Sequence, residues 1–206
     1  MIIGTRFFGK IKKHENQWIE TKFIVIGFPL IPIQSMFVTS VKYNKRNGLE
    51  IGLYGPSLRK AYFGIWGLLL GAILAFAGMK GGFIVQLLGI TLFITSLYYT
   101  LRFGDSTETE NAERVLYEKA TGINALPEYL DQKNLVILRD RMIECAVEKS
   151  IDKDVNWLRM VERNNYNAEQ LPFLFAAMGY HRRMDKSDKN ERLYEELKAK
   201  FTKQLA

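Results

Sequence analysis

The side chains that most often perform nucleophilic or metal chemistry are scarce in this sequence. It contains one cysteine, Cys145, and two histidines, His14 and His181. His14 lies in a polar segment near the N-terminus, whereas Cys145 and His181 belong to different predicted helices of the C-terminal half. No CxxC, HExxH, GxSxG or phosphate-binding glycine loop accompanies them. We therefore predict a protein that is not an enzyme and that uses no cofactor and no catalytic metal.

A second candidate for chemistry is ionic. The run Tyr180-His181-Arg182-Arg183 is the strongest basic cluster of the C-terminal half. It could bind a phosphate or an acidic partner, which makes Tyr180, Arg182 and Arg183 candidate partner-binding residues. Cations at the end of a helix also stabilise its dipole, and we favour this structural interpretation.

Two uncharged apolar segments, residues 61–79 and 83–100, lie in the middle of the chain and are separated by Lys80-Gly81-Gly82. At about 1.5 Å per residue, a helix of 18 or 19 residues reaches roughly 28 Å, close to the hydrocarbon thickness of a bilayer. Neither segment has the polar stripe of a soluble amphipathic helix. We predict a transmembrane helical hairpin within residues 58–102. Because neither segment holds an ionisable residue, a transporter formed by this chain alone is disfavoured.

The charges that flank the two segments predict an orientation. Arg59 and Lys60 precede the first segment and Arg102 follows the second, whereas the short loop has only Lys80. The positive-inside tendency then places both termini in the cytoplasm, with the chain in the cytoplasmic (inner) membrane. The tyrosines expected at that interface are Tyr62, Tyr98 and Tyr99.

Small residues recur along one face of the first segment, where they let another helix approach closely. They are Gly64, Gly67, Gly71, Ala75 and Gly78. Two interpretations remain open for this transmembrane packing face. It packs on the second helix of the same hairpin, which we favour, or it forms the seam of a homo-oligomer or a larger complex.

The net charge of +7 comes from the N-terminal part. Residues 1–60 contain ten Lys and Arg against three Asp and Glu, whereas residues 101–206 are nearly balanced. A basic module tethered to the membrane is expected to lie on the anionic leaflet, where each cation contributes about 1 kcal/mol. We therefore predict an anionic lipid surface, and not a nucleic acid, as its partner. The membrane-surface basic residues are Lys10, Lys12, Lys13, Arg59, Lys60 and Arg102.

Residues 1–57 are predicted to form a small antiparallel β module, SH3-like in size and strand number. Short segments rich in aromatic and β-branched residues alternate with turn residues. Asn47-Gly48 favours a type I′ hairpin turn within the stretch that starts at Asn44. Ser57 is the expected N-cap of the helix that follows.

Phe28-Pro29-Leu30-Ile31-Pro32 is the most distinctive local sequence. Proline cannot donate to a sheet ladder, so Pro29 and Pro32 are expected at a strand end or edge. One interpretation is an apolar prong that enters the membrane interface or binds a partner through the two prolines. The other, which we favour, is a buried strand connection.

Taken with Gly4-Thr5-Arg6-Phe7-Phe8-Gly9-Lys10, Thr21-Lys22-Phe23 and Ser35, this proline segment resembles a module of uncharacterised bacterial membrane proteins. In those proteins a short β segment precedes two hydrophobic helices. The resemblance covers about the first 100 residues, supports the domain plan and implies no activity.

Residues 103–206 are predicted to form a cytoplasmic α-helical domain. Asn167-Ala-Glu-Gln170 and Asp188-Lys-Asn-Glu191 match the capping-box pattern, and Gly122 fits a helix C-terminus. The fold class is thus an α+β membrane protein with a β module, a transmembrane hairpin and a helical domain.

The predicted function is a membrane-anchored adaptor or scaffold that recruits or stabilises other membrane or membrane-associated proteins. The alternative is an accessory structural subunit of a multi-chain membrane transport or secretion complex, which packs through its transmembrane helices.

Overall fold

The computed structural model of the chain describes residues 4–43, 45–149 and 156–205. The chain divides into two compact units, Met1–Thr107 and Glu108–Ala206. The predicted β module and helical hairpin therefore belong to the same unit, and the predicted helical domain is the other. The α+β class is confirmed, with a sheet in the first unit and helices in both.

In the described residues the first unit contains a four-stranded antiparallel sheet in the order β1-β2-β3-β4. The strands are β1 (Gly4–His14), β2 (Gln17–Ile26), β3 (Phe28–Lys42) and β4 (Lys45–Ile51). β1 and β2 extend through most of the polar stretch at 12–17, because alternate side chains on either face of a strand tolerate charges. The antiparallel β module is confirmed, while an SH3-like closure stays a prediction.

The prediction of a turn at Asn47-Gly48 is wrong. Both residues lie inside β4, opposite Ser40 and Val38, and the register shifts between these two pairs. The shift leaves Thr39 as an extra residue in β3, a bulge that brings the strands close together. A Cβ on Gly48 would lie 2.0 Å from the Phe37 carbonyl oxygen, so this glycine serves close strand approach. Asn44 lies outside the described residues.

The buried face of the sheet packs on the helix that follows it. Phe23, Val25 and Ala61 are buried together, with Phe8, Leu58 and Tyr62 packed around them. Phe23 meets the rings of Phe8 and Tyr62 edge to face, at 5.9 and 5.5 Å between centroids. Apolar residues at alternate positions of β2 make this packing possible.

A long helix, Gly55–Gly81, follows the sheet. It consists of α1 (Gly55–Tyr62), a π-helical turn (Phe63–Gly67) and α2 (Leu68–Gly81). Gly82, at φ 111°, makes the turn to α3 (Phe83–Leu101). The two helices match the predicted segments, except that the first begins six residues earlier.

The second unit consists of helices packed around aromatic side chains. They are α4 (Glu108–Thr121), a 3₁₀ turn (Pro127–Tyr129), α5 (Gln132–Glu148), α6 (Trp157–Glu162), α7 (Leu171–Met184) and α8 (Asp188–Leu205). Phe175 is fully buried and lies 5.1 to 5.5 Å from the rings of Tyr117, Tyr194 and Phe201. Gly179 makes room for this cluster, since a Cβ there would clash with the Tyr117 hydroxyl.

Candidate functional site: the outer surface of the first unit

The two long helices approach closely along the predicted glycine face. A Cβ on Gly71 would lie 2.7 Å from the Phe93 backbone nitrogen, and one on Gly78 would lie 2.2 Å from that of Gln86. Gly89 of α3 makes the reciprocal approach to Ala75. Gly67 and Gly64 face Ser96 and Thr100 in the same way. The glycine face is therefore occupied by the second helix of the same hairpin.

The other faces of both helices are apolar and exposed. Phe76, Phe83 and Ile84 are each more than 70% exposed, and most residues in both apolar stretches are unburied. Soluble proteins rarely expose contiguous apolar patches of this extent. Two helices of the structure are thus long and apolar enough to cross a membrane, and little of either is buried.

A buried chain of hydrogen bonds joins the sheet to α1. The Tyr54 N–H donates to Ser35 Oγ at 2.9 Å, and Ser35 and Thr21 share a bond of 2.7 Å. Thr21 donates to Ser57 Oγ, which donates to the Gly9 carbonyl, both at 2.8 Å. Thr21 has one hydroxyl proton and donates it to Ser57, so Ser35 must be the donor in its bond to Thr21.

This series of hydrogen bonds shows that Ser57 is not the N-cap that the sequence predicted. The helix begins at Gly55 after Tyr54, and no side chain caps it. Ser57 is instead fully buried in the first turn of the helix, where its hydroxyl donates to the Gly9 carbonyl. Gly9 has φ 68°, and any side chain there would strike the Ser57 backbone. The sheet is consequently fixed against the start of the first long helix.

The proline segment lies beside the beginning of that helix. Tyr62 Oη donates to the Leu30 carbonyl at 2.8 Å, and Trp66 Nε1 donates to the Pro29 carbonyl at 2.9 Å. β4 pairs with β3 only from Ser35 onwards, so both prolines lie in the part of β3 that β4 does not cover. The prediction of a strand edge fits their placement.

The favoured prediction of a buried connection is wrong for most of this segment. Phe28, Leu30, Ile31 and Ile33 are 39 to 59% exposed, whereas Pro29 is buried. Pro29 therefore offers little surface to a partner, and Pro32 is only half-exposed. What the segment presents is a row of exposed aliphatic and aromatic side chains next to Tyr62 and Trp66. We call residues 28–33 the apolar prong.

A cavity of about 420 Å³ lies between β1, the start of the first long helix and the end of α3. Three lysines line it, Lys10, Lys13 and Lys60, together with one carboxylate, Asp105. Its remaining walls are the backbone and apolar atoms of Phe8, Gly9, Ala61, Gly64, Ile65 and the side chain of Thr100. We call this cavity the lysine pocket.

Hydrogen bonds to two backbone carbonyls hold the walls of the lysine pocket together. Lys60 Nζ donates to the Phe103 carbonyl at 2.7 Å, and the Lys12 N–H donates to the Gly104 carbonyl at 2.6 Å. Gly104 has φ 83°, and a Cβ there would clash with Ile11. The chain that leaves α3 is thereby tied to β1, which closes one side of the pocket.

The electrostatics of the pocket are dominated by positive charge. Lys10 Nζ lies 3.4 Å above the Trp18 ring centroid, a cation–π contact that fixes its position. Partial burial lowers the pKa of Lys10, and the charges of Lys13 and Arg46 lower it further, against an opposing effect of Glu20. In the described part of the chain, the ammonium groups of Lys10, Lys13 and Lys60 form no ion pair with a carboxylate.

Of the predicted membrane-surface basic residues, the structure brings three into this pocket. Lys12 takes part in the backbone tether to Gly104, and Arg59 and Arg102 are exposed near the same ends of the two long helices. No sequence pattern indicated that Lys10 and Lys13, 47 or more positions before Lys60, would share a cavity with it. The bulges of β1 and the tether at Gly104 decide this arrangement.

The predicted partner-binding residues of the second unit are differently placed. Tyr180 is fully buried, so a contact with a partner through its side chain does not fit. Arg182 lies 3.5 Å over the Tyr194 ring and forms ion pairs with Glu191 at 2.5 Å and Glu113 at 3.6 Å. Arg182 therefore stabilises the helix packing.

Arg183 lies beside Arg182 in a groove at the turn between α7 and α8. The groove carries three cations and three carboxylates: Arg182, Arg183, Lys186, Glu128, Asp188 and Glu191. This balance gives no preference for an anionic ligand.

The residues suited to nucleophilic chemistry are dispersed. His14 ends β1 of the first unit, while Cys145 on α5 and His181 on α7 belong to the second. His181 packs edge to face on Trp157 at 5.4 Å. Burial lowers the pKa of His181, the nearby Arg139 lowers it further, and Asp185 opposes them.

Sequence reasoning missed the two groups that shape this surface most, the Thr21–Ser35–Ser57 chain and the Tyr62 and Trp66 donors. Short hydroxyl residues give no periodic signal, although Thr21 interrupts the buried apolar alternation of Ile19, Phe23 and Val25 in β2. No protein-family model, curated protein or solved structure matches this chain, so the resemblance to bacterial membrane proteins stays a prediction.

Proposed function

We propose that this chain is a membrane-anchored adaptor, with a basic module seated on the anionic leaflet and a helical unit that recruits other proteins. The observation that carries the proposal is the occupation of the glycine face. Because Gly67, Gly71 and Gly78 already pack on α3, the hairpin is complete as an anchor without a partner helix. The second unit, a separate compact body with a polar surface, is then the part available for recruitment.

The exposed faces of the first unit support membrane anchoring. From Lys60 to Lys80 the helix rises about 30 Å, so these two lysines bracket one hydrocarbon thickness. Lys10, Lys13, Arg59 and Arg102 lie at the Lys60 end, where anionic headgroups attract them. The apolar prong beside Tyr62 and Trp66 enters the interface at the same end.

The same distribution supports an orientation. Only Lys80 marks the loop end, whereas the other end carries the whole basic module. The positive-inside tendency places both termini in the cytoplasm and the chain in the cytoplasmic membrane. Cysteine-accessibility labelling of Lys80→Cys, in a chain that also carries Cys145→Ser, tests this. Labelling by an impermeant reagent from outside the intact cell supports the orientation, and labelling from the inside only contradicts it.

The test of recruitment uses three tagged chains expressed in the same cells: the intact chain, residues 1–107 and residues 108–206. After crosslinking and solubilisation in mild detergent, the captured proteins are identified by mass spectrometry. We expect the intact chain and residues 108–206 to capture the same partner, and residues 1–107 to lose it. Capture by residues 1–107 and the intact chain only would overturn the adaptor proposal in favour of a subunit that assembles through the outer faces of its hairpin.

Two matched variants distinguish partner binding, which the capture experiment reports, from membrane anchoring, which carbonate washing reports. Phe76→Ala alters an outward face of the hairpin, and Ile137→Ala alters an exposed side chain of the helical unit. Alkaline carbonate washing then reports whether each chain remains membrane-integrated. Release of the intact wild-type chain by carbonate would contradict the anchoring itself.

A further inference from the structure

We propose that the lysine pocket binds the phosphodiester headgroup of an anionic phospholipid, with Lys10, Lys13 and Lys60 as its cationic ligands. This inference rests on the proposed membrane location and deepens it, because it assigns a specific lipid site to a surface that otherwise attracts lipid only by net charge. Four observations carry it.

The first observation is depth. Lys60 comes directly before the apolar part of the first long helix, and Thr100 lies in the last turn of α3. With Lys60 and Lys80 about 30 Å apart along the helix, Lys60 lies at the headgroup level when the hairpin spans the bilayer. The pocket therefore opens where a lipid phosphate is found.

The second observation is the graded lining. The lining combines the three lysines and Asp105 with the apolar residues Ala61, Gly64 and Ile65. Gly64 and Ile65 lie about one helical turn, roughly 6 Å, deeper than Lys60. A polar end that continues into an apolar one matches a phosphoglycerol group followed by the start of an acyl chain. Inorganic phosphate would leave the apolar side of a 420 Å³ cavity unfilled.

The third observation is the hydrogen-bonding capacity that remains. An ammonium group has three N–H donors, and Lys60 spends one on the Phe103 carbonyl. Lys10 is held over the Trp18 ring, which uses none of its donors in a conventional hydrogen bond. Lys13 is exposed at the rim. The three groups can therefore donate to several phosphate oxygens at once.

The fourth observation is the charge balance. Three cations against the single carboxylate of Asp105 leave the pocket with an excess of two positive charges. Burial is the main cause that lowers the pKa of Lys10, and the nearby charge of Lys13 lowers it further, so these two pocket cations repel one another. A bound phosphodiester, with one negative charge, relieves this repulsion, whereas a zwitterionic headgroup adds a cation of its own. The pocket should therefore prefer phosphatidylglycerol to phosphatidylcholine.

The test counts lipids on the intact, detergent-purified chain by native mass spectrometry, after equilibration with equal amounts of phosphatidylglycerol and phosphatidylcholine. Wild type should retain phosphatidylglycerol preferentially. In the double variant Lys10→Gln/Lys13→Gln, the ratio of bound phosphatidylglycerol to bound phosphatidylcholine should fall about 30-fold, because two contacts of about 1 kcal/mol each are lost.

The matched control removes the same charge elsewhere. Lys42 and Lys45 pair at the far end of β3 and β4. Lys10 and Lys13 lie on either side of Ile11, which is level with Phe37 through Ile19, five residues along β3 from Lys42. That is roughly 17 Å along the strand, beyond the Debye length. Lys42→Gln/Lys45→Gln should keep the wild-type preference within about threefold. An equal loss in both pairs would overturn the proposal in favour of general surface charge.

A pocket-filling variant and a competition with inorganic phosphate complete the test. Ile65→Trp fills the pocket from the first long helix and leaves all three lysines in place, so it should also abolish retention, and it decides the matter if the lysine pair fails to fold. Inorganic phosphate at millimolar concentration should not displace the lipid. Displacement would assign the site to a soluble phosphate, and equal retention of both lipids by wild type would overturn the headgroup site. A wild-type chain that carbonate releases from membranes defeats the proposed function instead.

Discussion

The two units of this chain differ in the side chains that they expose. In the first unit the best-buried contacts include a chain of hydroxyl groups from Ser35 through Thr21 to Ser57, while phenylalanines and isoleucines cover the helices outside. In the second unit aromatic rings around Phe175 form the interior, and charged residues form the surface. The contrast fits the membrane location proposed for the first unit. A unit that faces lipid can expose apolar groups and gains from internal hydrogen bonds, whereas a unit that faces water gains from burying rings.

The largest expected effect tests this contrast with one substitution made in both units. Phe175→Ala removes a fully buried ring and should lower the free energy of unfolding of the helical unit by about 3–5 kcal/mol. Phe76→Ala removes a ring that is 73% exposed and should change the stability of the hairpin by no more than about 0.5 kcal/mol. Hydrogen exchange of the intact chain in detergent measures both. Equal losses would contradict the assignment of Phe76 to an outward, lipid-facing position.

The next effect concerns the close helix approach in the first unit. Gly78→Leu places a side chain against the Gln86 backbone and should cost about 1–3 kcal/mol or separate the helices altogether. Gly81→Leu is the control, because nothing lies within 4 Å of a Cβ at that position. Disulfide crosslinking between cysteines introduced into α2 and α3 reports the separation. A hairpin that tolerates both substitutions equally would show that the glycine face is not its packing surface.

A smaller effect sharpens the role of the buried hydroxyl chain. Thr21→Val leaves Ser57 without its donor and Ser35 without its acceptor, and should destabilise the sheet by about 1–3 kcal/mol. Thr91→Val, on the exposed surface of α3, removes only a bond to the Leu87 carbonyl and should have almost no effect. Thermal unfolding followed by the fluorescence of Trp18 and Trp66 compares the two. A Thr21→Val chain as stable as wild type would mean that the hydroxyl chain does not join sheet to helix.

The smallest effect is a dependence on pH in the second unit. The folded pKa of His181 lies below its usual value of 6.5, so the unfolded chain binds its proton first as the pH falls. Stability contributed by neutral His181 is therefore complete above about pH 6.5 and declines below it. The protection factors of the α7 amides, which are corrected for the slower intrinsic exchange at low pH, should fall on acidification in wild type and fall less in His181→Gln. An identical pH response in both chains would exclude His181 as the group responsible.

Several features of the fold were predictable because local chemistry determines them. Asn167 and Gln170 form the reciprocal bonds of a capping box, with Gln170 N donating to Asn167 Oδ1 at 3.0 Å and Asn167 N donating to Gln170 Oε1 at 2.9 Å. Gly122, at φ 77°, ends α4 as expected of a glycine after a helix. At the start of α8 the predicted box is displaced by one residue, since Ser187 caps Asn190. Adjacent capping residues compete for the same free N–H groups, and sequence alone does not rank them.

Features that depend on partners distant in the chain were not predictable in the same way. Asn47-Gly48 has the composition of a hairpin turn, but the Thr39 bulge places it inside β4. The proline segment has the composition of a core strand, yet it remains exposed because β4 ends its pairing at Ser35. In both cases strand register, which no local propensity specifies, decides the outcome.

The sequence by itself determined the two long apolar helices, the position of the charge and the helical character of the second half. These properties follow from composition and spacing within a single element, where hydrophobic transfer and backbone geometry act locally. Only the tertiary structure decided that the glycine face packs within the chain, that the prong stays outside and that Lys10, Lys13 and Lys60 share one pocket. Each of these depends on which distant surfaces come together, and that is fixed by register, by bulges and by hydrogen bonds such as the one from Lys60 to Phe103.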